Sequence, residues 1–365
     1  MMDITRPVKL ARAGAWRTYT GGSLIEKLHG KENVPDTNFP EEWIMSTVAA
    51  RNSGREHIVE GLSMVEGTSS DDKPLSLAEL IEQNPEEILG KKHYEKYGNK
   101  LGVLVKLIDS AERLTIQVHP TRAKARELFD SQFGKTECWH ILGGREVNGE
   151  KPCIYFGFKE GITREHWKEV FDRQDIPEML NCLHRFEVKP GDTFLIEGGI
   201  PHAIGAGCFL VEIQEPTDYT VRTERVTPAG LQVADFMCHQ GLGFDRMFDC
   251  FDYSSYSRDD VLKRWYKKPV GKTLIGYEDT EMFRLELVER KASEVTQDPE
   301  ESEEAATELI EPGSTFSGIY ILEGEGFVDG IPVKAGSQFF IPACCKPFTI
   351  EGNVKYIRYY GPKEE

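Results

Sequence analysis

The sequence predicts an all-β protein made of two related β domains, with a few helices inserted between the strands. Short apolar runs recur every ~8–12 residues between turns rich in Gly and Pro, a spacing typical of a sandwich or barrel rather than a parallel sheet. The chain also repeats itself, because Val188-Lys-Pro-Gly-Asp-Thr-Phe-Leu-Ile196 aligns with Val333-Lys-Ala-Gly-Ser-Gln-Phe-Phe-Ile341. The repeat indicates one β scaffold used twice.

Composition narrows the classes of partner. The chain has 365 residues, of which 39% are hydrophobic and 29% charged, enough for two or more domains. Its formal net charge of −17 argues against nucleic acid and anionic membranes, because both select a basic surface. No apolar run reaches the ~18 residues of a membrane span, and we see no signal peptide. The eight cysteines lack a Cys-x-x-Cys pair, so we expect reduced thiols in a cytoplasmic protein.

The first clear elements are a capped helix and a buried strand. Ser76 and Glu79 form a capping box that predicts a helix from Pro74 to Asn84. The run Leu101–Leu107 predicts a buried strand in which Lys106 is the exception, and buried lysines are rare without a partner.

The stretch Leu114-Thr-Ile-Gln-Val-His-Pro120 predicts the strand that matters most. Successive side chains of a strand alternate between its faces, so Gln117 and His119 point to the same side. Pro120 ends the strand, since it has no amide hydrogen to donate. Taken alone, such a pair is more often a set of satisfied core residues than a binding site.

Helices and strands alternate after this stretch. Thr121 is the predicted N-cap of a helix that runs to Asp130. Amphipathic helices are predicted near residues 160–185 as an insertion, before the strands return at Phe186. Residues 240–270 are polar and aromatic and cross to the second domain, and Asp298 to Glu308 is an acidic run expected to form a loop. We therefore expect a first domain over 1–250 and a second over 251–365.

Four polar residues of the first domain make a metal site the better interpretation. Glu137 lies on the strand after the capped helix, and His202 follows a Gly-Gly-Ile-Pro turn. Together with Gln117 and His119 they offer two imidazoles, a carboxylate and an amide oxygen, a set that suits Zn²⁺ with a position left open. Mn²⁺, Fe²⁺ and Co²⁺ remain alternatives, because nitrogen and oxygen ligands do not select sharply.

The repeat resembles the cupins, which are double-stranded β-helix or jelly-roll domains. Gly191, Gly199 and His202 fall on the positions of the second cupin motif in the first copy. In the second copy Gly336 holds its position, but Pro347 stands where the histidine would be. The resemblance implies a catalytic cupin followed by a metal-free one.

Three motifs in order resemble type I mannose-6-phosphate isomerase, the phosphomannose isomerase family. They are Gln-Val-His-Pro at 117–120, Gly-Lys-Thr-Glu-Cys-Trp at 134–139 and Gly-x-Pro-His-Ala at 199–203. The resemblance implies one Zn²⁺ per chain held by Gln117, His119, Glu137 and His202. It also implies catalytic residues and substrate-binding residues, which are Arg222, Glu212 and Lys135, and Lys106, Thr115 and Asp218 respectively.

The implied reaction interconverts mannose 6-phosphate and fructose 6-phosphate through an enediol, in a monomer or homodimer. The opening Trp16-Arg-Thr-Tyr-Thr-Gly-Gly22 departs from the Trp-Gly-Gly usual in that family, which leaves the sugar open. Two alternatives therefore stand: an isomerase of another sugar or sugar phosphate, and a non-catalytic metal-binding cupin that senses a sugar.

Overall fold

The computed structural model describes residues 2–52, 54–67, 74–290 and 307–364. Three antiparallel sheets dominate this part of the chain, so the all-β prediction is confirmed only as a mainly-β fold, because helices take a larger share than an all-β class implies. The acidic run 298–308 lies outside the described residues except for its last two, which begin a strand.

Two of the sheets build the half of the molecule that carries the predicted site. The seven-stranded sheet contains, in spatial order, β13 (Tyr266–Lys267), β9 (Thr193–Ile196), β6 (Glu137–Gly144), β11 (Cys208–Gln214), β4 (Leu104–Asp109), β3 (Glu41–Ile44) and β2 (Gly14–Ala15). The five-stranded sheet contains β12 (Val221–Arg222), β5 (Gln117–Val118), β10 (His202–Ile204), β7 (Cys153–Phe158) and β8 (Leu183–Glu187).

The eight-stranded sheet is built mainly from the C-terminal third. Its main path is β1 (Val8–Leu10), β19 (Gln338–Ile341), β17 (Ser317–Val328), β20 (Phe348–Tyr360), β15 (Arg284–Glu289) and β14 (Thr273–Ile275). Two further strands pair with β20 and β17, and they are β16 (Thr307–Ile310) and β18 (Ile331–Lys334).

The helices lie between strands. They are α1 (Ser23–Leu28), α2 (Leu77–Gln83), α3 (Pro85–Leu89), α4 (Lys91–Tyr97), α5 (Arg122–Phe129), α6 (Arg164–Arg173), α7 (Ile176–Asn181), α8 (Asp235–His239), α9 (Gly243–Arg246) and α10 (Arg258–Trp265), with a 3₁₀ helix over Met247–Cys250. The capping box of Ser76 and Glu79 is present, and Thr121 accepts from the Lys124 amide as predicted. Within the described residues, no helix is long and apolar enough to cross a membrane.

The predicted strand from Leu114 is shorter than expected. Only Gln117 and Val118 form ladder pairs, because the Ile116 amide donates to the Glu224 carboxylate at 2.6 Å. Residues 114–116 therefore lie outside the paired strand, which begins at Gln117, one of the predicted ligands.

The seven- and five-stranded sheets pack face to face. Ile108, Trp139 and Leu210 from one sheet share a buried cluster with Phe156 and Ile204 from the other. Such packing is the usual way for two antiparallel sheets to bury their inner faces. The predicted site lies between these two sheets.

The halves of the chain are joined by a continuous core and by exchanged strands. β1, from the N-terminus, pairs with β19 of the eight-stranded sheet, and β13, at 266–267, pairs with β9. One buried cluster includes Val105 and Val211 together with Tyr320 and Ile357. The domain boundary at residue 250 stays a prediction, and each predicted domain contributes a strand that pairs with a strand of the other.

Candidate active site

Three of the four predicted metal ligands converge between the two packed sheets. The ligand atoms of His119, Glu137 and His202 all lie within 4.8 Å of one another, and all three residues are buried. The Glu137 Oε2 atom is 3.2 Å from His119 Nε2, and Oε1 is 3.4 Å from His202 Nε2. We call these three residues the ligand cluster.

Gln117 completes the set through strand register. It lies directly opposite His202 in the β5–β10 pair, and its amide nitrogen is 3.3 Å from His202 Nε2. A half-turn of the amide exchanges its nitrogen and oxygen, so the same position offers an oxygen ligand. All four residues predicted as ligands are therefore adjacent.

Both imidazoles are held so that Nε2 faces the centre. His119 Nδ1 is 2.9 Å from the Tyr219 carbonyl, and His202 Nδ1 is 2.9 Å from the Ile200 carbonyl. A carbonyl accepts a proton from Nδ1, so the lone pair remains on Nε2, the arrangement typical of metal-binding histidines. Burial lowers the pKa of His119 to about 4 and lowers the pKa of His202 as well.

Glu137 supplies the observation that best supports a bound cation. Neither carboxylate oxygen has a hydrogen bond, although both are buried; the Lys135 ammonium, 3.1 Å from Oε2, leaves Oε1 without a cation, and buried polar atoms without partners are costly. Burial alone would raise the pKa of Glu137, but the charge of Lys135 and the contact with His119 outweigh it and hold the pKa well below the ordinary value. A divalent cation beside two neutral imidazoles would satisfy these oxygens, so the residues fit a metal ion.

Lys135 connects the ligand cluster to a pocket. Its Nζ atom is 2.9 Å from His119 Nε2 and 3.1 Å from Glu137 Oε2. It also lines the pocket, together with the other residues predicted for catalysis or substrate binding, which are Lys106, Thr115, Glu212, Asp218 and Arg222. The fold thus brings all ten predicted site residues to one place.

Lys106 and Glu212 form a buried pair in this pocket. They are cross-strand partners on β4 and β11, with Lys106 Nζ 3.0 Å from Glu212 Oε1. The second carboxylate oxygen accepts from Trp139 Nε1 at 3.0 Å. Burial lowers the pKa of Lys106, but Glu212 and Glu41 outweigh burial and raise it above the ordinary value. Glu212 therefore reaches the pocket with both oxygens engaged.

Arg222 is placed beside the ligands by the sheet itself. It pairs with Gln117 across β12 and β5, so Arg222, Gln117 and His202 form one row over three strands. Its Nη1 donates to the carbonyls of Thr220 and Met237 at 3.1 and 3.0 Å. Burial lowers the pKa of Arg222. Within the described residues its guanidinium has no ion pair, which leaves donors for a ligand in the pocket.

The sequence did not single out a second polar group on the opposite wall. Glu41 Oε1 accepts from Tyr19 at 2.8 Å and pairs with Arg17 at 3.0 Å, while Trp43 donates to Oε2 at 2.7 Å. Although burial raises the pKa of Glu41, Arg17 and Lys106 lower it to about 2. The available signals were the unusual Trp16-Arg opening and the acidic residues that begin an otherwise apolar run.

Other pocket residues carried no usable signal in the sequence. Arg113 makes a two-pronged contact to Glu224 at 2.6 and 2.8 Å, and Arg51 and the segment 227–237 complete the wall. Their side chains are ordinary for surface loops, so only the tertiary contacts identify them.

A second group of ligand-type side chains lies between α6 and α7. It consists of His166, Glu178 and Cys182. His166 and Glu178 are partly exposed and their nearest atoms are 3.9 Å apart, while burial raises the pKa of the Cys182 thiol to about 11. A protonated thiol is a poor ligand, so this group is less suited to a metal than the ligand cluster.

Comparisons with known proteins point to one enzyme family. The family model for "Phosphomannose isomerase type I, catalytic domain" matches residues 61–135. Mannose-6-phosphate isomerase ManA of Bacillus subtilis (strain 168) is 29% identical over 189 residues, 52% of each chain. Mannose-6-phosphate isomerase of Streptococcus mutans is 33% identical over 206 residues, 55% of each chain. These two alignments span about half the length of each relative, whereas YvyI of Bacillus subtilis is 26% identical over 92% of this chain and 93% of that protein.

Solved structures share the fold over the whole chain. Mannose 6-phosphate isomerase from Bacillus subtilis superposes with a TM-score of 0.69 at 21% identity, covering 97% of this chain and 99% of that one. A phosphomannose isomerase from Salmonella typhimurium gives a TM-score of 0.71 at 16% identity, covering 98% and 100%. At these identities the likeness establishes the fold.

Proposed function

We propose that this chain, a member of the type I phosphomannose isomerase family, interconverts mannose 6-phosphate and fructose 6-phosphate through an enediol. The observation that carries the proposal is the row of Arg222, Gln117 and His202 across one sheet. The row places Arg222, a candidate catalytic cation, beside two candidate metal ligands. Arg222 and Gln117 also line a pocket that contains further charged side chains.

The metal we propose is Zn²⁺, held by Gln117, His119, Glu137 and His202. Two imidazoles, a carboxylate and an amide oxygen suit Zn²⁺, while Mn²⁺, Fe²⁺ and Co²⁺ accept similar ligands. When bound, the ion supplies a Lewis acid that polarises a substrate oxygen. Two observations support this assignment. The Nδ1 atoms of His119 and His202 each lie 2.9 Å from a backbone carbonyl, and neither carboxylate oxygen of Glu137 has a hydrogen bond.

Lys135 and Arg222 are the residues we assign to the developing negative charge. Moving a proton between C1 and C2 places charge on an oxygen, and fixed cations in a buried site stabilise that charge strongly. Lys135 is in contact with the ligand cluster, and Arg222 adjoins Gln117. Asp218, which also lines the pocket, is assigned to substrate binding, and its charge opposes the effect of burial on the pKa of Arg222.

Glu212 is the proposed proton carrier, with a condition set by its contacts. Both oxygens accept hydrogen bonds, from Lys106 and Trp139. Each oxygen keeps a second lone pair, so a substrate proton must arrive on the side of the carboxylate that these two contacts leave free. An ammonium has three donors, so Lys106 can keep its bond to Glu212 and still donate to a substrate hydroxyl, and Thr115 lines the same pocket.

We also propose that the halves are two cupin-like jelly-roll domains, with the helices near 160–185 as an insertion in the first. The aligned repeats support this, because their last four residues form strands β9 and β19. Among the described residues from 251 to 290 and 307 to 364, no three ligand-type side chains lie close enough to hold a metal. The second domain would then be the metal-free copy.

A coupled assay on mannose 6-phosphate, with metal analysis before and after a chelator, tests the proposed function. We expect turnover that disappears with the metal and returns when it is restored. Turnover on a different aldose or aldose phosphate would keep the chemistry and change the sugar. Bound metal without turnover on any aldose would support a sugar-sensing cupin and refute the enzyme.

A further inference from the structure

We propose that Arg51 recognises the substrate phosphate and so determines the preference for a phosphorylated sugar. The inference rests on the proposed function and names a residue for which the sequence motifs carry no role. It follows from a comparison of the positive side chains that line the pocket, which are Arg17, Arg51, Lys106, Arg113, Lys135 and Arg222.

Three of these cations are committed to carboxylates of the protein. Lys106 pairs with Glu212 at 3.0 Å, Arg17 pairs with Glu41 at 3.0 Å, and Arg113 pairs with Glu224 at 2.6 Å. All three carboxylates are buried. Releasing any of these cations to a ligand would leave a buried charge without its partner, which is costly.

Two further cations belong to the metal end of the pocket. Lys135 is 2.9 Å from His119 Nε2, and Arg222 is the strand neighbour of Gln117. The carbonyl end of the sugar must react there. The phosphate of a hexose 6-phosphate is attached at the opposite end of the carbon chain, so it needs a different cation.

Arg51 is the cation that remains. Among the residues the structure describes, its guanidinium has neither a hydrogen bond nor an ion pair. It is exposed, and it lines both the pocket and an adjoining groove that includes Thr47 and Tyr219. These positions put Arg51 at the opening of the pocket.

The two residues that flank Arg51 are held by hydrogen bonds, one through its backbone and one through its side chain. The Ala50 amide donates to the Glu60 carbonyl at 2.9 Å. The Asn52 side chain donates to the Trp16 carbonyl at 2.8 Å and accepts from Arg17 at 3.4 Å. Arg51 is therefore adjacent in sequence to a residue that contacts Arg17, and both arginines line the pocket.

The charge of the pocket favours an anion. After the ion pairs with Glu212, Glu41, Glu224 and Glu137 are set aside, Arg51 and Arg222 remain against Asp218, a net charge of one positive unit before any metal ion is counted. The chain as a whole carries −17 and repels an anion. Arginine also presents a planar fork that can donate two parallel hydrogen bonds to phosphate oxygens.

Steady-state kinetics of Arg51→Gln test the proposal. We expect KM for mannose 6-phosphate, and the inhibition constant for inorganic phosphate, to rise by about 10- to 100-fold, the loss of one charged hydrogen-bonded contact. We expect kcat to change by less than about threefold and metal content to stay constant, because Arg51 does not touch the ligand cluster. Arg51→Lys should recover part of the loss.

The matched control is Arg126→Gln, which removes an exposed arginine of α5 that does not line the pocket. It should change neither constant. An unchanged KM and inhibition constant in Arg51→Gln, or a loss confined to kcat, would overturn the role of Arg51. If the unaltered protein turns over no sugar phosphate, the proposed function fails. Calorimetric binding of inorganic phosphate then tests the role of Arg51 by itself, and equal affinity in the unaltered protein and in Arg51→Gln refutes the phosphate contact.

Discussion

The buried pair of Lys106 and Glu212 allows a prediction that separates a structural from a catalytic role. Both side chains are 5% exposed and their charged atoms are 3.0 Å apart. Glu212→Gln keeps the shape and an acceptor for Trp139, but it leaves the Lys106 ammonium buried with the charge of Glu41 as its remaining partner. The substitution therefore tests what the negative charge of Glu212 contributes.

We expect Glu212→Gln to lower the free energy of unfolding by about 3 kcal/mol. Removing one partner of a buried ion pair typically costs about 3–5 kcal/mol, and the nearby Glu41 charge keeps the loss at the lower end. This is a large fraction of the ~5–15 kcal/mol that stabilises a typical domain. Urea denaturation followed by tryptophan fluorescence measures it, since Trp139 contacts the pair.

The double variant Lys106→Met with Glu212→Gln is the control. Replacing both charges removes the unpaired ammonium, so we expect the stability to return to within about 1 kcal/mol of the unaltered protein. A single Glu212→Gln variant as stable as the unaltered protein would refute this account of the pair. If Glu212 also carries the proton, the single and the double variant both lose about 10²- to 10⁴-fold in kcat while keeping metal. A double variant with normal kcat would exclude Glu212 from catalysis.

Three further predictions follow from the site. His202→Ala should lower metal affinity by more than about 100-fold and remove turnover. The control is His140→Ala, which should keep the metal because His140 is a buried histidine hydrogen-bonded to Thr193. Retained metal in His202→Ala would refute the ligand assignment. Arg222→Ala should keep the metal and lower kcat by about 10²-fold or more, and an unchanged kcat would remove it from the mechanism. The Glu41 carboxylate, whose pKa falls from 4.5 to about 2 on folding, stabilises the fold above about pH 4.5, and this contribution is lost as the pH falls towards 2. Glu41→Gln should therefore flatten the dependence of unfolding free energy on pH between these values, and an unaltered slope would contradict it.

Local patterns in the sequence were sufficient for much of the fold and for the residues predicted at the site. The capping box at Ser76 and the cap at Thr121 depend on neighbours within one helical turn, so they could be read directly. The alternation that put Gln117 and His119 on one face needs only the geometry of a strand. Motif spacing then added Glu137, which does lie with them.

Strand pairing between distant segments was decided by the tertiary structure. β1 joins a sheet more than 300 residues away in sequence, through the pairing of Val8 with Phe340. A strand pattern states which face is apolar but not which partner it meets, and register depends on the whole sheet. The N-terminal strand therefore could not be assigned to the second half from its own residues.

The sequence was sufficient to identify the residues of the ligand cluster, but it could not show which charged side chains of the pocket are paired. Arg17 and Glu41 reach the pocket because β3 pairs with β4, which sets Trp43 opposite Lys106. Whether a cation is paired or free depends on these long-range contacts, and this alone distinguishes Arg51 from the committed arginines beside it. Electrostatic partnership is a property of three-dimensional neighbours, so the side chain left available for a phosphate became visible only in the folded chain.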